Sequence, residues 1–149
     1  MTRSGTSEQP TRARIGAEGE VFAERYLTGR GMRVLDRNWR CSSGEIDLVL
    51  LDGDVVVVCE VKTRRSKAFG EPIEAITRAK LARLRRLAGR WLAEHAVSCG
   101  GVRLDVVALH LDPATGAVRD HRAEAARAGV GPHRHGAGLS QRCRFSGAR

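Results

Sequence analysis

The feature of this chain that most limits its fold is a short apolar run, Val55 to Cys59, which leads directly into Glu60-Val61-Lys62. A run of β-branched residues of this length is typical of a strand. Because apolar side chains follow one another without alternation, both faces of the strand must be covered, which predicts a central position in a sheet. Burying charged residues beside such a core is costly, so Glu60 and Lys62 are candidate site residues.

The pattern on either side of this run predicts an α/β domain, in which helices pack on a mixed sheet. Helical spacing of apolar residues indicates a first helix from about Ala17 to Thr28 and a second from about Ile73 to His95. The buried stripe of the second helix is predicted to be Leu81, Leu84, Ala88, Trp91 and Leu92. Strands are predicted over Met32–Trp39, Glu45–Leu51, Asp54–Thr63, Val102–Leu111 and, as a short fifth strand, Ala117–His121.

The length of 149 residues suits one domain. Residues 1–14 are polar and lack periodicity, so they are expected to form a flexible N-terminal arm. Residues 15–121 carry the apolar pattern and are predicted to form the domain. Residues 122–149 are rich in Ala, Arg, Gly and His, which predicts a disordered basic tail.

The charge of the chain indicates a polyanionic partner. The formal net charge is +9 and the sequence pI is about 10.6, which favours nucleic acid over an anionic membrane surface. Neither a signal peptide nor an apolar stretch long enough to span a bilayer is present in the sequence. The cysteines lack the close spacing of a zinc site. The sequence therefore predicts a reduced, cytoplasmic protein without a membrane partner.

A hairpin signal links the apolar run to the strand before it. Asp52-Gly53 is a strong signal for a two-residue turn. One register that such a turn allows sets Asp47 beside Glu60 on the same face, whereas a slip of one residue would separate them. Lys62 shares the face of Glu60 because side chains alternate along a strand.

Two adjacent carboxylates repel each other unless a cation lies between them. Oxygen ligands favour Mg²⁺ or Mn²⁺, so Asp47 and Glu60 are predicted metal ligands. A lysine beside that metal can orient or deprotonate the attacking water and can stabilise charge on a phosphate, which makes Lys62 a candidate for phosphodiester hydrolysis. The alternative is that these charges are simply solvated at the strand ends.

The roles of several further residues are open to two interpretations each. Glu45 is either a third acid of the site or the partner of a nearby arginine in the hairpin. The basic residues after the central strand and on the second helix either contact phosphates or form a solvated face. The predicted phosphate-contacting set consists of Arg64, Arg65, Arg78, Lys80, Arg85 and Arg86.

Several of these motifs together resemble the YraN (UPF0102) family. They are Gly16-x-x-Gly19-Glu20, Arg37-Asn38-Trp39-Arg40, Gly44-Glu45-Ile46-Asp47, Glu60-Val61-Lys62-Thr63-Arg64 and Arg103-Leu104-Asp105. The resemblance extends from about Ile15 to Leu111.

This resemblance implies a PD-(D/E)xK core, of the restriction-endonuclease-like type and related in fold to Holliday-junction resolvases. It also implies that Asp47 and Glu60 bind the metal and that Lys62 is the catalytic lysine. Glu20 matches a glutamate that related nucleases carry on their first helix near the metal; the alternative is an ordinary solvated helix residue. Ile46 stands where the motif's name has proline.

The function expected from the sequence is a Mg²⁺-dependent endonuclease that acts on DNA, including branched or otherwise non-canonical DNA. One alternative is a catalytically silent nucleic-acid-binding module with the same fold. Another is an adaptor that binds a protein and is basic only for solubility. We expect no small-molecule cofactor, and a homodimer is compatible with the sequence.

Overall fold

A mixed sheet lies between two helices in the part of the chain that the structure, a computed structural model, describes: residues 11–65 and 77–126. The elements are α1 (Arg12–Gly29), β1 (Arg33–Cys41), β2 (Gly44–Asp52), β3 (Val55–Arg65), α2 (Arg78–Glu94), β4 (Gly101–Leu111) and β5 (Val118–Ala126). The strands lie in the order β1-β2-β3-β4-β5. The α/β class and the mixed sheet flanked by helices are confirmed.

The sheet has β3 at its centre, as the apolar run predicts. β3 pairs antiparallel with β2 and parallel with β4, while β1 and β5 add antiparallel strands at the two edges. Asp52 pairs with Val55 across the predicted tight turn, where Gly53 has a φ of 61°. The same register continues to Leu48↔Cys59.

Two apolar cores, one on each face, explain why β3 shows no alternation. Val56 and Val58 belong to the core that α2 covers, whereas Val57 and Cys59 belong to the core under α1. All four side chains are fully buried. Because burying one such side chain contributes about 1.5–3 kcal/mol, both helices are held firmly on the sheet.

Strand β2 changes face at Asp47. Leu48 packs in the core under α1, while Ile46 packs in the core under α2, although residues two apart on a regular strand share a face. On β1, the residue between the partners of Leu48 and Ile46 is Asn38, whose φ of 49° is in the left-handed region. Asp47 therefore lies where the regular pleat is interrupted on both strands, and not inside either core.

Helix α1 begins earlier than the sequence predicts. Thr11 caps it, accepting a hydrogen bond from the Arg14 backbone N–H at 3.3 Å. The predicted start near Ala17 is wrong because the first turns carry polar residues and their helical signal is the cap rather than an apolar stripe. Arg12 to Arg14, assigned to the arm on sequence, are helical; residues 1–10 of the predicted arm lie outside the described residues.

Helix α2 begins at Arg78, and not near Ile73, since Thr77 is extended and caps it through the Lys80 backbone N–H at 3.2 Å. Residues 66–76 lie outside the described residues. The predicted stripe is confirmed at Leu84, Ala88 and Trp91, and it also includes Leu87, which the sequence analysis missed. Leu81 and Leu92 are partly buried against the same core.

Strand β5 continues to Ala126, so Arg122 to Ala126 belong to the sheet and not to the predicted tail. An edge strand needs backbone pairing on one side only, and this is why a segment of small and polar residues forms it. The rest of the predicted tail, residues 127–149, lies outside the described residues.

Arg64 and Arg65 end β3 rather than begin a loop. In the described ranges, no helix combines the length and the apolar character that crossing a membrane requires.

Candidate functional site

A cleft of about 280 Å³ opens where the pairing of β2 with β3 ends. Its charged lining comes from four elements and consists of Glu20, Glu45, Asp47, Glu60, Lys62 and Arg83. All four residues predicted to be catalytic, Glu20, Asp47, Glu60 and Lys62, are among them. The cleft is thus lined by more carboxylates than cations.

Asp47 lines the cleft just beyond the last paired residues of β2 and β3. Its Oδ2 atom accepts a hydrogen bond from the Val61 backbone N–H at 2.7 Å. A side chain thereby provides an acceptor where the ladder between the strands has ended. Burial raises the pKa of Asp47 more than this hydrogen bond lowers it, and the charges of Glu60 and Glu45 raise it further.

Glu60 and Lys62 lie side by side on the face of β3 that α2 covers. The Lys62 Nζ atom is 2.8 Å from Glu60 Oε1, and Arg83 Nη2 reaches the same oxygen at 3.3 Å. The Glu60 side chain is only 11% exposed, whereas that of Lys62 is 49% exposed. Lys62 can therefore present its ammonium group to a molecule in the cleft while Glu60 holds it in place.

Glu20 reaches the cleft from α1. The helix approaches β3 closely at Gly19, where an added Cβ atom would overlap Thr63 Oγ1. Burial raises the pKa of Glu20, the charge of Asp47 raises it further, and a hydrogen bond with the Asn38 side chain lowers it. The influence of Asp47 indicates that the two carboxylates are close enough to interact.

Two residues of this site were missed by sequence analysis. Asn38 bonds Glu20 from the interrupted position of β1, and its left-handed backbone conformation is one that asparagine tolerates better than most residues. Arg83 lines the cleft from α2. Its position before buried Leu84 does not distinguish it in the sequence, because exposed Arg86 likewise precedes buried Leu87.

Glu45 combines both interpretations that the sequence left open. It forms an exposed ion pair with Arg40 at 3.2 Å, as a hairpin partner would. It also lines the cleft and helps to raise the pKa of Asp47. Because an exposed pair contributes little to stability, Glu45 stays available to the cleft.

The predicted phosphate-contacting residues do not belong to the described lining of the cleft. Arg78, Arg85 and Arg86 are exposed on α2, and Lys80 is partly buried there. Arg64 is exposed at the end of β3, whereas Arg65 is partly buried. They extend the positive surface on the two elements that carry Arg83 and Lys62.

The donor set suits a hard divalent cation. Among the described residues, no group of three or more His, Cys, Asp or Glu side chains is arranged to hold a metal ion. Mg²⁺, however, is commonly held by one or two carboxylates together with water. Asp47 and Glu60 provide that number, and the raised pKa of Asp47 reflects burial and repulsion that a cation would relieve. The residues therefore fit Mg²⁺ or Mn²⁺.

Comparison with known proteins identifies the family. Residues 19–109 match the model of "Uncharacterised protein family UPF0102". A UPF0102 protein of Nocardioides sp. is 54% identical over 107 residues, which are 72% of this chain and 86% of the relative. One of Beutenbergia cavernae is 61% identical over 95 residues, 64% of this chain and 80% of the relative. One of Streptomyces coelicolor is 51% identical over 119 residues, 78% of this chain and 92% of the relative.

The family match contains every charged residue of the cleft, from Glu20 to Arg83, and ends within β4. The chain belongs to the UPF0102 family of uncharacterised proteins.

Proposed function

We propose that the protein is a metal-dependent endonuclease with a PD-(D/E)xK-type core, which hydrolyses phosphodiester bonds in DNA, including branched DNA. The observation that carries this proposal is the meeting of carboxylates from three elements with Lys62 in one cleft. Three acids, Glu20, Asp47 and Glu60, line the same cleft, and a divalent cation bound there would relieve the repulsion between them.

Asp47 and Glu60 are the residues that would hold Mg²⁺ or Mn²⁺, with Glu20 beside them. The bound ion would lower the pKa of water and stabilise charge on a phosphoryl oxygen. Lys62 is kept beside the ligands by its 2.8 Å contact with Glu60. From there its ammonium group can orient the attacking water or stabilise charge on the phosphate.

The charges of the cleft support a phosphodiester as substrate. Arg40 pairs with Glu45 at 3.2 Å and balances its charge. The remaining acids, Glu20, Asp47 and Glu60, carry three negative charges when ionised, and Lys62 and Arg83 carry two positive charges. A divalent cation turns this excess of one negative charge into an excess of one positive charge. That balance complements the single negative charge of a phosphodiester group.

The basic surface outside the cleft supports nucleic acid as the partner. The exposed arginines of α2 and the net charge of +9 provide a binding energy that does not depend on base sequence. Recognition by backbone charge is consistent with a preference for DNA shape over base sequence. We therefore propose branched or otherwise non-canonical DNA among the substrates.

The test is to incubate purified protein with linear duplex, single-stranded, flapped and four-way DNA in Mg²⁺, in Mn²⁺ and in EDTA. We expect cleavage of at least one substrate with a divalent ion and none in EDTA. Asp47→Asn and Lys62→Ala should abolish it while leaving DNA binding nearly intact. Glu18→Gln, on an exposed residue of α1, is the control and should cut like the wild type.

Two outcomes would contradict the proposal. If the wild type binds the substrates and cuts none of them, the protein is a silent nucleic-acid-binding module. If Asp47→Asn and Lys62→Ala cut as well as the wild type, the activity arises elsewhere and the site assignment is wrong.

A further inference from the structure

We propose that Arg83 is the phosphate-binding residue of the cleft and that its guanidinium group receives a phosphate of the nucleic acid beside Glu60 and Lys62. This inference rests on the proposed function, because it assigns the substrate contact of the same cleft. The sequence analysis did not single out Arg83 among the arginines of α2, and the proposal assigns it a specific contact with the substrate.

The first argument is the weak contact that Arg83 makes with Glu60. Its Nη2 atom is 3.3 Å from Glu60 Oε1, longer than the 2.7–2.9 Å of a strong charge-assisted hydrogen bond. Lys62 occupies the same oxygen at 2.8 Å. Two cations thus share one carboxylate oxygen, and within the described residues this is the only ion pair of Arg83.

The second argument is that Arg83 is held at the cleft without being enclosed. Its side chain is 39% exposed. A Cβ atom added to Gly44 would lie 3.2 Å from Arg83 Nη1 and 3.6 Å from Leu87, and the φ of Gly44 is 138°. A residue with a side chain would be strained at this position and would crowd the guanidinium group. The glycine that begins β2 therefore leaves room for the guanidinium group of Arg83, which still opens to solvent.

The third argument is the contrast with the other arginines of α2. Arg83 is the only one of them that lines the cleft. Arg90 donates hydrogen bonds to the hydroxyl groups of Ser42 and Ser43, at 2.9 and 3.0 Å, and thereby ties the turn to the helix. Arg85 and Arg86 are exposed. Only Arg83 stands beside the residues proposed for chemistry.

The chemistry of the guanidinium group fits this task. It is planar, stays charged, and can donate two parallel hydrogen bonds to two oxygens of one phosphate. A lysine at the same position would supply charge without that geometry. A phosphate held by Arg83 would be fixed in orientation next to Lys62, which a diffuse positive surface cannot achieve.

The first experiment measures single-turnover cleavage by Arg83→Ala, Arg83→Lys and Arg25→Ala, with the melting temperature of each variant. We expect Arg83→Ala to lose about 100-fold or more, the size typical for removal of one donor to a reacting group. Arg83→Lys should also lose most of the activity, since charge alone is not enough. Arg25→Ala, on an exposed residue of α1 that does not line the cleft, is the control and should stay within about threefold of the wild type.

Chemical rescue separates a phosphate contact from a structural role. Free guanidinium ion at concentrations below those that unfold the protein should restore cleavage by Arg83→Ala at least about tenfold, because it can refill the vacated position. It should not stimulate Lys62→Ala or Arg25→Ala. If guanidinium leaves Arg83→Ala unchanged while Arg83→Lys cuts like the wild type, the proposal is overturned.

A second experiment does not depend on cleavage. The Nε–Hε signal of Arg83 in ¹⁵N-labelled wild-type protein is followed by NMR while a 12-nucleotide single strand is added in EDTA. We expect this signal to shift with the oligonucleotide, and that of exposed Arg25 on α1 to stay in place. An unchanged Arg83 signal overturns the assignment. A shift in a protein that cuts nothing supports it as a binding contact while the enzymatic proposal fails.

Discussion

At the scale of single residues, Asp47 has a structural role and a proposed chemical role that conflict. Its Oδ2 atom accepts the Val61 N–H and so closes the end of the β2–β3 ladder. The same carboxylate is buried beside Glu60 and Glu45, and these surroundings raise its pKa. The ionised form that a metal needs is therefore the form that the metal-free fold disfavours.

This conflict predicts that Asp47→Asn raises the melting temperature by a few degrees at neutral pH in EDTA. The amide oxygen can still accept the Val61 N–H, while the charge is gone. Because the folded-state pKa is raised, the penalty for ionisation is present at neutral pH and disappears as the pH falls toward the ordinary value of 3.8. The two proteins should thus converge in acid. A variant that is less stable than the wild type at every pH would contradict the argument.

Sequence reasoning reached some residues of the cleft and missed others for a physical reason. The alternation of side chains along β3 was enough to predict that Glu60 and Lys62 share a face. The register of the Asp52-Gly53 hairpin predicted that Asp47 lies near them. Asn38 was missed because the break in β1 has no sequence signal beyond one asparagine. Arg83 was missed because neighbouring arginines on α2 look alike until the position of the cleft is known.

At the scale of elements, the position of α1 depends on a glycine. Gly19 meets Thr63 of β3 so closely that a methyl group there would overlap Thr63 Oγ1 and lie 3.3 Å from Leu109 Cδ1. Any displacement of the helix would also carry Glu20, the next residue, away from the cleft.

We therefore expect Gly19→Ala to lower the free energy of unfolding by about 1–3 kcal/mol, as overpacking does. Thr63→Ala removes the hydroxyl group that is overlapped, so the double variant should be less destabilised than the two single variants predict together. Gly16→Ala is the matched control, because nothing lies within 4 Å of its added Cβ atom. Urea unfolding measures the free energy of unfolding of all four variants. If the effects of Gly19→Ala and Thr63→Ala simply add in the double variant, Thr63 is not the residue that the added methyl group overlaps.

Helix α2 predicts a salt dependence of DNA binding. Its exposed arginines should displace counterions from phosphates. Each such contact contributes about 0.9 to the slope of the logarithm of the binding constant against the logarithm of the salt concentration. Replacing Arg78, Arg85 and Arg86 together with Ala should weaken binding and flatten this slope by up to about 3. Fluorescence anisotropy between low and moderate salt provides the measurement.

The matched control removes the same charge at three exposed arginines outside α2: Arg25 in α1, Arg30 at its C-terminal cap and Arg33 at the start of β1. It should change the salt slope less than the α2 variant does. Equal effects from both triple variants would mean that net charge, and not the face of α2, determines binding.

The elements themselves were largely predictable, but two of their starting points were not. Every strand has an apolar run or a turn signal, and Asp52-Gly53 gave the register of the central hairpin. The starts of α1 and α2 depend on the side chains of Thr11 and Thr77. Thr11 caps a stretch without an apolar stripe, so α1 was predicted to start too late, whereas apolar residues before Thr77 in the sequence led to a predicted start of α2 that is too early. The spacing of apolar residues does not reveal a capping hydrogen bond, so the sequence analysis misplaced the starts of both helices.

At the scale of the whole molecule, the sheet extends beyond the apolar sequence pattern. Arg122 to Ala126 pair with Leu104 to Ala108 along the edge of β4. The backbone of buried β4 is thereby covered by a strand with almost no apolar content. A boundary drawn at His121 from composition would divide this strand in two.

Two truncations test this boundary. A chain that ends after Ala126 should keep the melting temperature of the full chain, since the sequence beyond it lacks the apolar residues of a core. A chain that ends after His121 should melt clearly lower, because it leaves buried backbone groups of β4 without partners. Differential scanning calorimetry compares both with the full chain, and equal melting temperatures for the two truncations would refute the importance of residues 122–126.

The parallel pairing of β3 with β4 has a consequence for how the chain folds. β1, β2 and β3 join through short turns and can pair early, whereas β4 follows only after α2 and has to close a long loop. Until then the Val55–Cys59 segment has an unpaired edge, which makes it the part of the nascent chain most prone to aggregate. Asp52 and Asp54 before it, and Lys62 after it, place charges on both flanks, and such flanking charges oppose intermolecular strand pairing. The lysine proposed for cleavage would thus also protect the chain during its synthesis.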